Sequence, residues 1–143
     1  MKTKNIIENG KQDRCLFAFE RFEIYQRAVD FANDIHDLTK KYPYPEKKEI
    51  GSQLRRASNS ISLNLAEGFS NYYKKDKKKF FRYARGSVYE CVPALKISLR
   101  QKYIGIDEHK ELYQECYEMS RRISGLINSV DNRLESNKKS SNK

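Results

Sequence analysis

Apolar residues recur at spacings of three and four in four separate stretches of the chain, a pattern typical of amphipathic α-helices. The first predicted helix covers residues 21–41. The proline-rich segment at residues 42–45 ends it, because proline disfavours helical backbone at the residue before it and has no amide to donate. Its inward-facing residues are Ile24, Ala28, Phe31, Ile35 and Leu38.

The second predicted helix starts at Pro45, a favourable residue for a first helical turn, and ends near Gly68. Its apolar face consists of Ile50, Leu54, Ala57, Ile61 and Leu65. The third begins in or just after a lysine-dense run and continues to about Lys102. Its apolar stripe is Phe80, Ala84, Val88, Cys91, Leu95 and Leu99.

The fourth predicted helix follows a turn around Gly105. Its stripe is Leu112, Cys116, Met119, Ile123, Leu126, Val130 and Leu134. Four amphipathic helices with short connections favour an all-α fold, an antiparallel up-down-up-down four-helix bundle. We expect the bundle to occupy residues 20–135, preceded by a flexible arm at residues 1–19 and followed by a disordered basic tail at residues 136–143.

A long, multi-part motif spans the second and third predicted helices. It comprises Gln-Leu-Arg-Arg-Ala at residues 53–57, then Ser60, Asn64, Ala66-Glu67-Gly68, Phe80, Ala84, Gly86-Ser87 and Glu90. This motif resembles the bacterial four-helix-bundle family named for reading frames in intervening sequences of large-subunit ribosomal RNA. The resemblance covers roughly residues 22–134. It implies a small helical bundle that assembles into a homo-oligomeric ring, most often a pentamer, and a relation to basic accessory proteins of retroelement reverse transcriptases.

Positive charge is concentrated on the middle of the chain. The formal net charge is +10, and residues 52–102 hold 12 Lys or Arg against 3 Asp or Glu. Such asymmetry favours a polyanionic partner, although a basic face that only keeps an assembly soluble remains open. The predicted binding surface, the basic row, has two parts. One is the lysine-dense connector between the second and third helices, and the other is the outer face of the third helix. Its residues are Lys74, Lys75, Lys77, Lys78 and Lys79 of the connector, and Arg82, Arg85, Tyr89, Lys96 and Arg100 of the outer face.

Lysines neutralise phosphates, arginines bind them bidentately, and tyrosines stack on unpaired bases. We therefore predict a nucleic-acid-binding protein, with RNA as the expected ligand. The alternative is a protein-interaction scaffold, or an accessory subunit of a nucleic-acid enzyme such as a reverse transcriptase. Tyrosines that lie beside the main stripes suit a subunit interface.

A polar row follows the apolar stripes of the second and third predicted helices. Its members are Gln53, Arg56, Ser60, Asn64, Glu67, Ser87 and Glu90. Buried polar groups need hydrogen-bond partners, so we interpret the row as a network that sets helix register or a subunit interface. The other reading, a small-molecule or catalytic site around Asn64, Glu67 and Glu90, stays open.

Candidate catalytic and metal-binding groups are sparse. The only histidines, His36 and His109, lack the Glu-x-x-His spacing of helical di-metal sites and are expected to be partly exposed polar residues. Neither a metal nor another cofactor is predicted, and we do not expect an enzyme. Three widely spaced cysteines without a CxxC pair indicate reduced core thiols, and the chain has no membrane-span or secretory pattern. A cytoplasmic protein is expected.

Overall fold

The computed structural model describes the backbone of residues 14–141 and the side chains of residues 14–132. A short 3₁₀ turn at Ala18–Arg21 precedes four α-helices. These are α1 (Glu23–Thr39), α2 (Ile50–Ser70), α3 (Lys74–Arg100) and α4 (Ile106–Ser141). The described part of the chain contains no strand, so the predicted all-α fold is confirmed.

Each helix packs against the next along the chain, and α1 also packs against α4, so that the four helices surround one core. The apolar faces predicted for α1 and α2 are the ones that the structure buries, apart from Ile50, which is half-buried. Phe31, Ile35, Leu54 and Ile61 are at most 1% exposed. Complete burial of such side chains stabilises the folded state by about 1.5–3 kcal/mol each.

On α3 the buried aromatic residue is Phe81, whereas the sequence pattern had pointed to Phe80. Phe81 meets the edge of Phe69 with ring centroids 5.1 Å apart, and its ring lies over Gly68. Phe80 is half-buried and packs against Tyr83 instead. The missing side chain of Gly68 provides the space that Phe81 fills, which explains the correction.

Two predicted helix limits were wrong by several residues. Helix α2 begins at Ile50 and not at Pro45, because residues 43–49 form turns: the amides of Lys47 and Lys48 donate to the carbonyls of Pro43 and Pro45. Helix α4 continues to Ser141, through most of the segment expected to be a disordered tail. No glycine or proline follows Gly125, so nothing in the local sequence stops the helix.

Residues 1–13 of the predicted flexible arm lie outside the described residues, and residues 18–19 belong to the 3₁₀ turn. The limits 20–135 for the bundle stay a prediction. Within residues 14–141, no helix combines the length and the apolar character that crossing a membrane requires.

Candidate nucleic-acid interface

All ten residues of the predicted basic row lie on α3, so the lysine run expected in the connector forms the first turns of the helix instead. Their spacing puts most of them on the side of the helix that faces away from the core, because positions three, four and seven apart share a face. Six of the ten side chains are exposed to solvent: Lys75, Lys79, Arg82, Tyr89, Lys96 and Arg100. This set, the exposed basic row, extends along nearly the whole length of α3. Lys79 also contacts its own helix, with its ammonium 3.9 Å from Asp76 and 4.8 Å from the ring centroid of Phe80.

Three other cations of the row, Lys77, Lys78 and Arg85, bind neighbouring helices. The Lys77 ammonium donates to the carbonyl oxygens of Gly68 at 3.1 Å and Phe69 at 3.0 Å, in the last turn of α2. Those carbonyls have no amide partner within their own helix, and a cation there also complements the helix dipole. Lys77 therefore ties the start of α3 to the end of α2.

Two further members of the row connect α3 to α4. The Lys78 ammonium forms an ion pair with Asp131. The Arg85 guanidinium donates to the Ser124 hydroxyl at 3.1 Å. Lys74 is half-buried. A role of these residues in ligand binding stays a prediction, but the contacts of Lys77, Lys78 and Arg85 already occupy part of their hydrogen-bonding capacity.

Tyr113 and Tyr117 lie on the same face of α4 as Ser124 and Asp131, because residues seven or eighteen positions apart share a helical face. Tyr113 stacks on His109, with ring centroids 5.8 Å apart and planes 20° apart. His109 is buried, contrary to the partial exposure expected for it, and the Tyr113 ring covers it. Burial and, secondarily, the positive charge of Lys96 lower the pKa of His109, so its ring is neutral at pH 7. The Arg121 guanidinium lies 5.8 Å from the ring centroid of Tyr117.

The predicted polar network exists in part, between α2 and α3. The Asn64 amide donates to the Ser60 carbonyl oxygen at 2.8 Å and to the Ser60 hydroxyl at 2.9 Å. The hydroxyls of Ser60 and Ser87 are 2.8 Å apart, and the Ser87 hydroxyl lies 3.0 Å from the Tyr83 carbonyl oxygen. Because a hydroxyl has one proton, Ser87 donating to Tyr83 requires Ser60 to donate to Ser87. These bonds couple the register of the two helices.

The remaining members of the polar row, Gln53, Arg56, Glu67 and Glu90, are exposed. An open groove of about 460 Å³ runs between α2 and α3. It is lined by Gln53, Arg56, Ala57, Ser60, Glu90, Pro93 and Ala94. Arg56 and Glu90 form no ion pair with each other, and the described residues offer neither of them a hydrogen-bond partner. The groove therefore presents one unpaired charge of each sign.

A second groove, of about 270 Å³, lies between α1 and α4 and is acidic. Its charged lining residues are Glu23, Arg27, Asp30, Asp34, Glu111 and Glu115. Arg27 donates two hydrogen bonds, of 2.9 and 2.7 Å, to the Glu115 carboxylate. The hydrogen bond from Arg27 to Glu115 raises the pKa of the arginine. The acidic groove and the exposed basic row are thus separate surfaces of the same molecule.

Side chains that bind metals or act as nucleophiles do not cluster. Among residues 14–132, no group of three or more His, Cys, Asp or Glu side chains is arranged to hold a metal ion. The His36 ring is hydrogen-bonded to the Asn59 amide oxygen at 2.9 Å. Cys91 and Cys116 are buried free thiols, as their place on the apolar stripes predicted. Burial raises the pKa of both, that of Cys116 to about 12, which makes them poor nucleophiles.

Comparisons with known proteins extend the motif-based resemblance. The sequence profile of the family described as 23S rRNA-intervening sequence protein matches residues 20–125. A crystal structure of a protein of unknown function from the S23 ribosomal protein family of Bacteroides thetaiotaomicron superimposes with a TM-score of 0.68 at 20% sequence identity. The alignment covers 73% of this chain and 97% of that chain. A comparison with curated proteins found no match. The first result confirms the resemblance, and the second shows a shared fold.

Proposed function

The chain belongs to the 23S rRNA-intervening sequence protein family, and from that premise we propose that it binds RNA, without catalysing a reaction, through the outer face of α3. One observation carries the proposal: the exposed basic row places five exposed cations in a strip along the outer face of α3, with Tyr89 between Arg82 and Lys96. From Lys75 to Arg100 the strip is about 37 Å long at a rise of 1.5 Å per residue. Phosphates that contact such a strip release their counterions, which favours binding at low salt.

The cytoplasm is the compartment that we propose for this function. All three cysteines are unpaired, which suits a reducing environment. RNA is also an abundant polyanion in the cytoplasm, so a non-specific basic strip would meet it there. Neither the spacing of the strip nor its residue types encode recognition of a base sequence.

Fluorescence anisotropy across a salt series tests the proposal. The probes are a structured RNA, a single-stranded RNA and a duplex, with nuclease-treated protein. The triple variant Arg82→Gln, Lys96→Gln, Arg100→Gln removes exposed charge only. We expect it to weaken binding and to lower the salt slope by up to about 2, since each single-strand phosphate contact contributes about 0.7.

The matched control removes three exposed cations away from α3: Arg14→Gln, Lys41→Gln, Lys48→Gln. Equal losses in both triple variants would contradict the proposal, because they would reflect net charge alone. Substituting the whole lysine run is a weaker test. Lys77 and Lys78 hold α2 and α4, so their loss would perturb the bundle as well as the surface.

The antiparallel up-down-up-down arrangement belongs to the same proposal. Its support is the order of contacts along neighbouring helices. Arg27 of α1 meets Glu115 of α4, whereas the earlier residue Glu23 meets the later residue Arg122. In the same way, Ser60 of α2 meets Ser87 of α3, whereas Gly68, later in α2, meets Lys77, earlier in α3. Opposite order along both pairs favours opposite helix directions.

We also propose that the chain assembles with itself, as a ring and most simply as a pentamer. The groove between α2 and α3 supports self-association, because its unpaired Arg56 and Glu90 offer complementary charges to a second copy. Repeating one basic strip around a ring would multiply weak contacts into avid binding. Light scattering of the Ala57→Trp, Ala94→Trp variant, which fills the groove, should show a lower mass than the wild type if this groove is the interface.

The alternative function is that of a protein scaffold or an accessory subunit of a nucleic-acid enzyme such as a reverse transcriptase. The groove between α2 and α3 favours it, since a groove that presents one charge of each sign suits a protein partner better than RNA. This alternative requires no affinity for nucleic acid. Absence of binding to every probe at low salt would therefore favour it over the RNA-binding proposal.

A further inference from the structure

Two contacts between α3 and α4 fix how these helices align, and the same alignment can be extended along both helices. Lys78 pairs with Asp131, and Arg85 pairs with Ser124. The two contacts lie seven residues apart on each helix, in opposite directions. Two turns of helix separate them on both sides, so the alignment repeats after another seven residues. At this next repeat the alignment places Val92 of α3 opposite Tyr117 of α4.

One further turn brings Lys96 opposite Tyr113. Two observations agree with this position. Lys96 is close enough to His109 for its charge to help lower the pKa of that ring, and His109 stacks on Tyr113. The tertiary structure thus adds the two tyrosines of α4 to the side of the exposed basic row.

Tyr113 and Tyr117 have the properties of a stacking platform. They lie one turn apart on α4, so their side chains are neighbours. They are 49% and 53% exposed. Tyr113 is supported from below by the buried His109 ring, and Tyr117 has the Arg121 guanidinium beside it. Rings held in this way lose little conformational entropy when a base stacks on them.

The charges around the tyrosines suit a polyanion. Lys96 and Arg121 are both exposed there. The acidic side chains Glu111 and Glu115 of α4 line the groove toward α1, on a different side of the helix. Away from the Lys78–Asp131 ion pair, a strand whose phosphates follow α3 would therefore meet aromatic rings and cations on α4.

We infer that Tyr113 and Tyr117 bind unpaired bases of a single-stranded nucleic acid whose phosphates lie along the exposed basic row. This inference rests on the proposed function and specifies its ligand class. Bases within a duplex are stacked on each other and are not available to these rings. Stacking on tyrosine also accepts any base, in keeping with a surface that encodes no sequence.

The experiment compares 12-nucleotide probes that share phosphates but differ in bases. They are oligouridylate, oligothymidylate, a strand of abasic sites, and a duplex. The test variant is Tyr113→Leu, Tyr117→Leu, and the matched control is Tyr113→Phe, Tyr117→Phe, which keeps both rings. We expect the leucine variant to bind oligouridylate or oligothymidylate roughly fivefold or more weakly per lost stack. Its affinity for the abasic strand and its salt slope should not change, and the phenylalanine variant should bind like the wild type.

The outcomes separate the two proposals. If the wild type binds the abasic strand as tightly as oligouridylate, and the leucine variant binds both equally well, the stacking site is overturned while the basic row stands. If no probe binds at low salt, the proposed function fails and the stacking site fails with it. A changed mass of the leucine variant in light scattering would place the tyrosines in a subunit interface and would also overturn the inference. Comparing oligouridylate with oligothymidylate identifies RNA or DNA as the source of the bases.

Discussion

Replacing Gly68 by alanine should destabilise the protein, although alanine is the better helix former. A Cβ atom at Gly68 would lie 2.5 Å from Cε1 and 2.6 Å from Cδ1 of Phe81. Carbon atoms in contact prefer separations of about 3.5–4.0 Å, so either the ring or the α2 backbone must move by about 1 Å. Phe81 is 2% exposed and packs against Phe69, which leaves it little room.

Two other helical glycines set the expected size of the effect. A Cβ atom added at Gly86 on α3 would meet no atom within 4 Å, and the same holds for Gly125 on α4. Alanine at either control position should stabilise the protein by about 0.5–1 kcal/mol through helix propensity. Alanine at Gly68 gains the same amount but forces extra volume into the core, at about 1–3 kcal/mol. The difference between test and control isolates that packing cost.

Urea unfolding followed by far-ultraviolet circular dichroism, at one protein concentration, measures the difference. With a slope of about 2 kcal/mol per molar urea, the midpoint of Gly68→Ala should lie roughly 0.5–1.5 M below that of Gly86→Ala. The Phe81→Leu substitution should cost less in the Gly68→Ala background than in the wild type, because it removes the clashing ring. A Gly68→Ala midpoint equal to or above the Gly86→Ala midpoint would contradict the steric argument.

Two further predictions concern groups away from the basic row. Burial raises the pKa of Cys116 from 9.0 to about 12, so only the unfolded thiol ionises in that window and stability is lost as the pH rises above 9. Between pH 9 and about pH 11, the free energy of unfolding of the wild type should fall by about 1.4 kcal/mol per pH unit relative to that of Cys116→Ala. If the difference in unfolding free energy between the two proteins stays constant over this range, the prediction is wrong. The two-bond ion pair of Arg27 and Glu115, with side chains 25% and 21% exposed, should show a coupling of about 1 kcal/mol in a double-mutant cycle with alanine. A coupling near zero would show that solvent screens the pair.

Sequence periodicity was sufficient where burial depends on one helix at a time. The stripe of α1 and that of α4 from Leu112 to Ile123 follow from local spacing, since residues three and four apart share a helical face whatever lies opposite. Further along α4, Ile127 is buried and the predicted Leu126 is half-buried, and the side chain of Leu134 lies outside the described residues. The family resemblance was also recognisable, because its motif is long and spread over two helices. The choice between Phe80 and Phe81 could not be predicted, because adjacent residues differ by 100° and the deciding gap is at Gly68 on another helix.

The same distinction between local spacing and helix packing applies to the candidate site. Residue spacing alone was enough to predict helices with one apolar face each and an outward basic row on α3. It was also enough to predict that Ser60, Asn64 and Ser87 belong to one polar set. The packing of the helices was needed to separate the exposed cations from those that hold α2 and α4, and to infer that Tyr113 lies beside Lys96. The difference arises from distance along the chain. Helical spacing links residues within two turns, whereas Lys78 meets Asp131 and Arg85 meets Ser124 only after the intervening helix and turn have packed back.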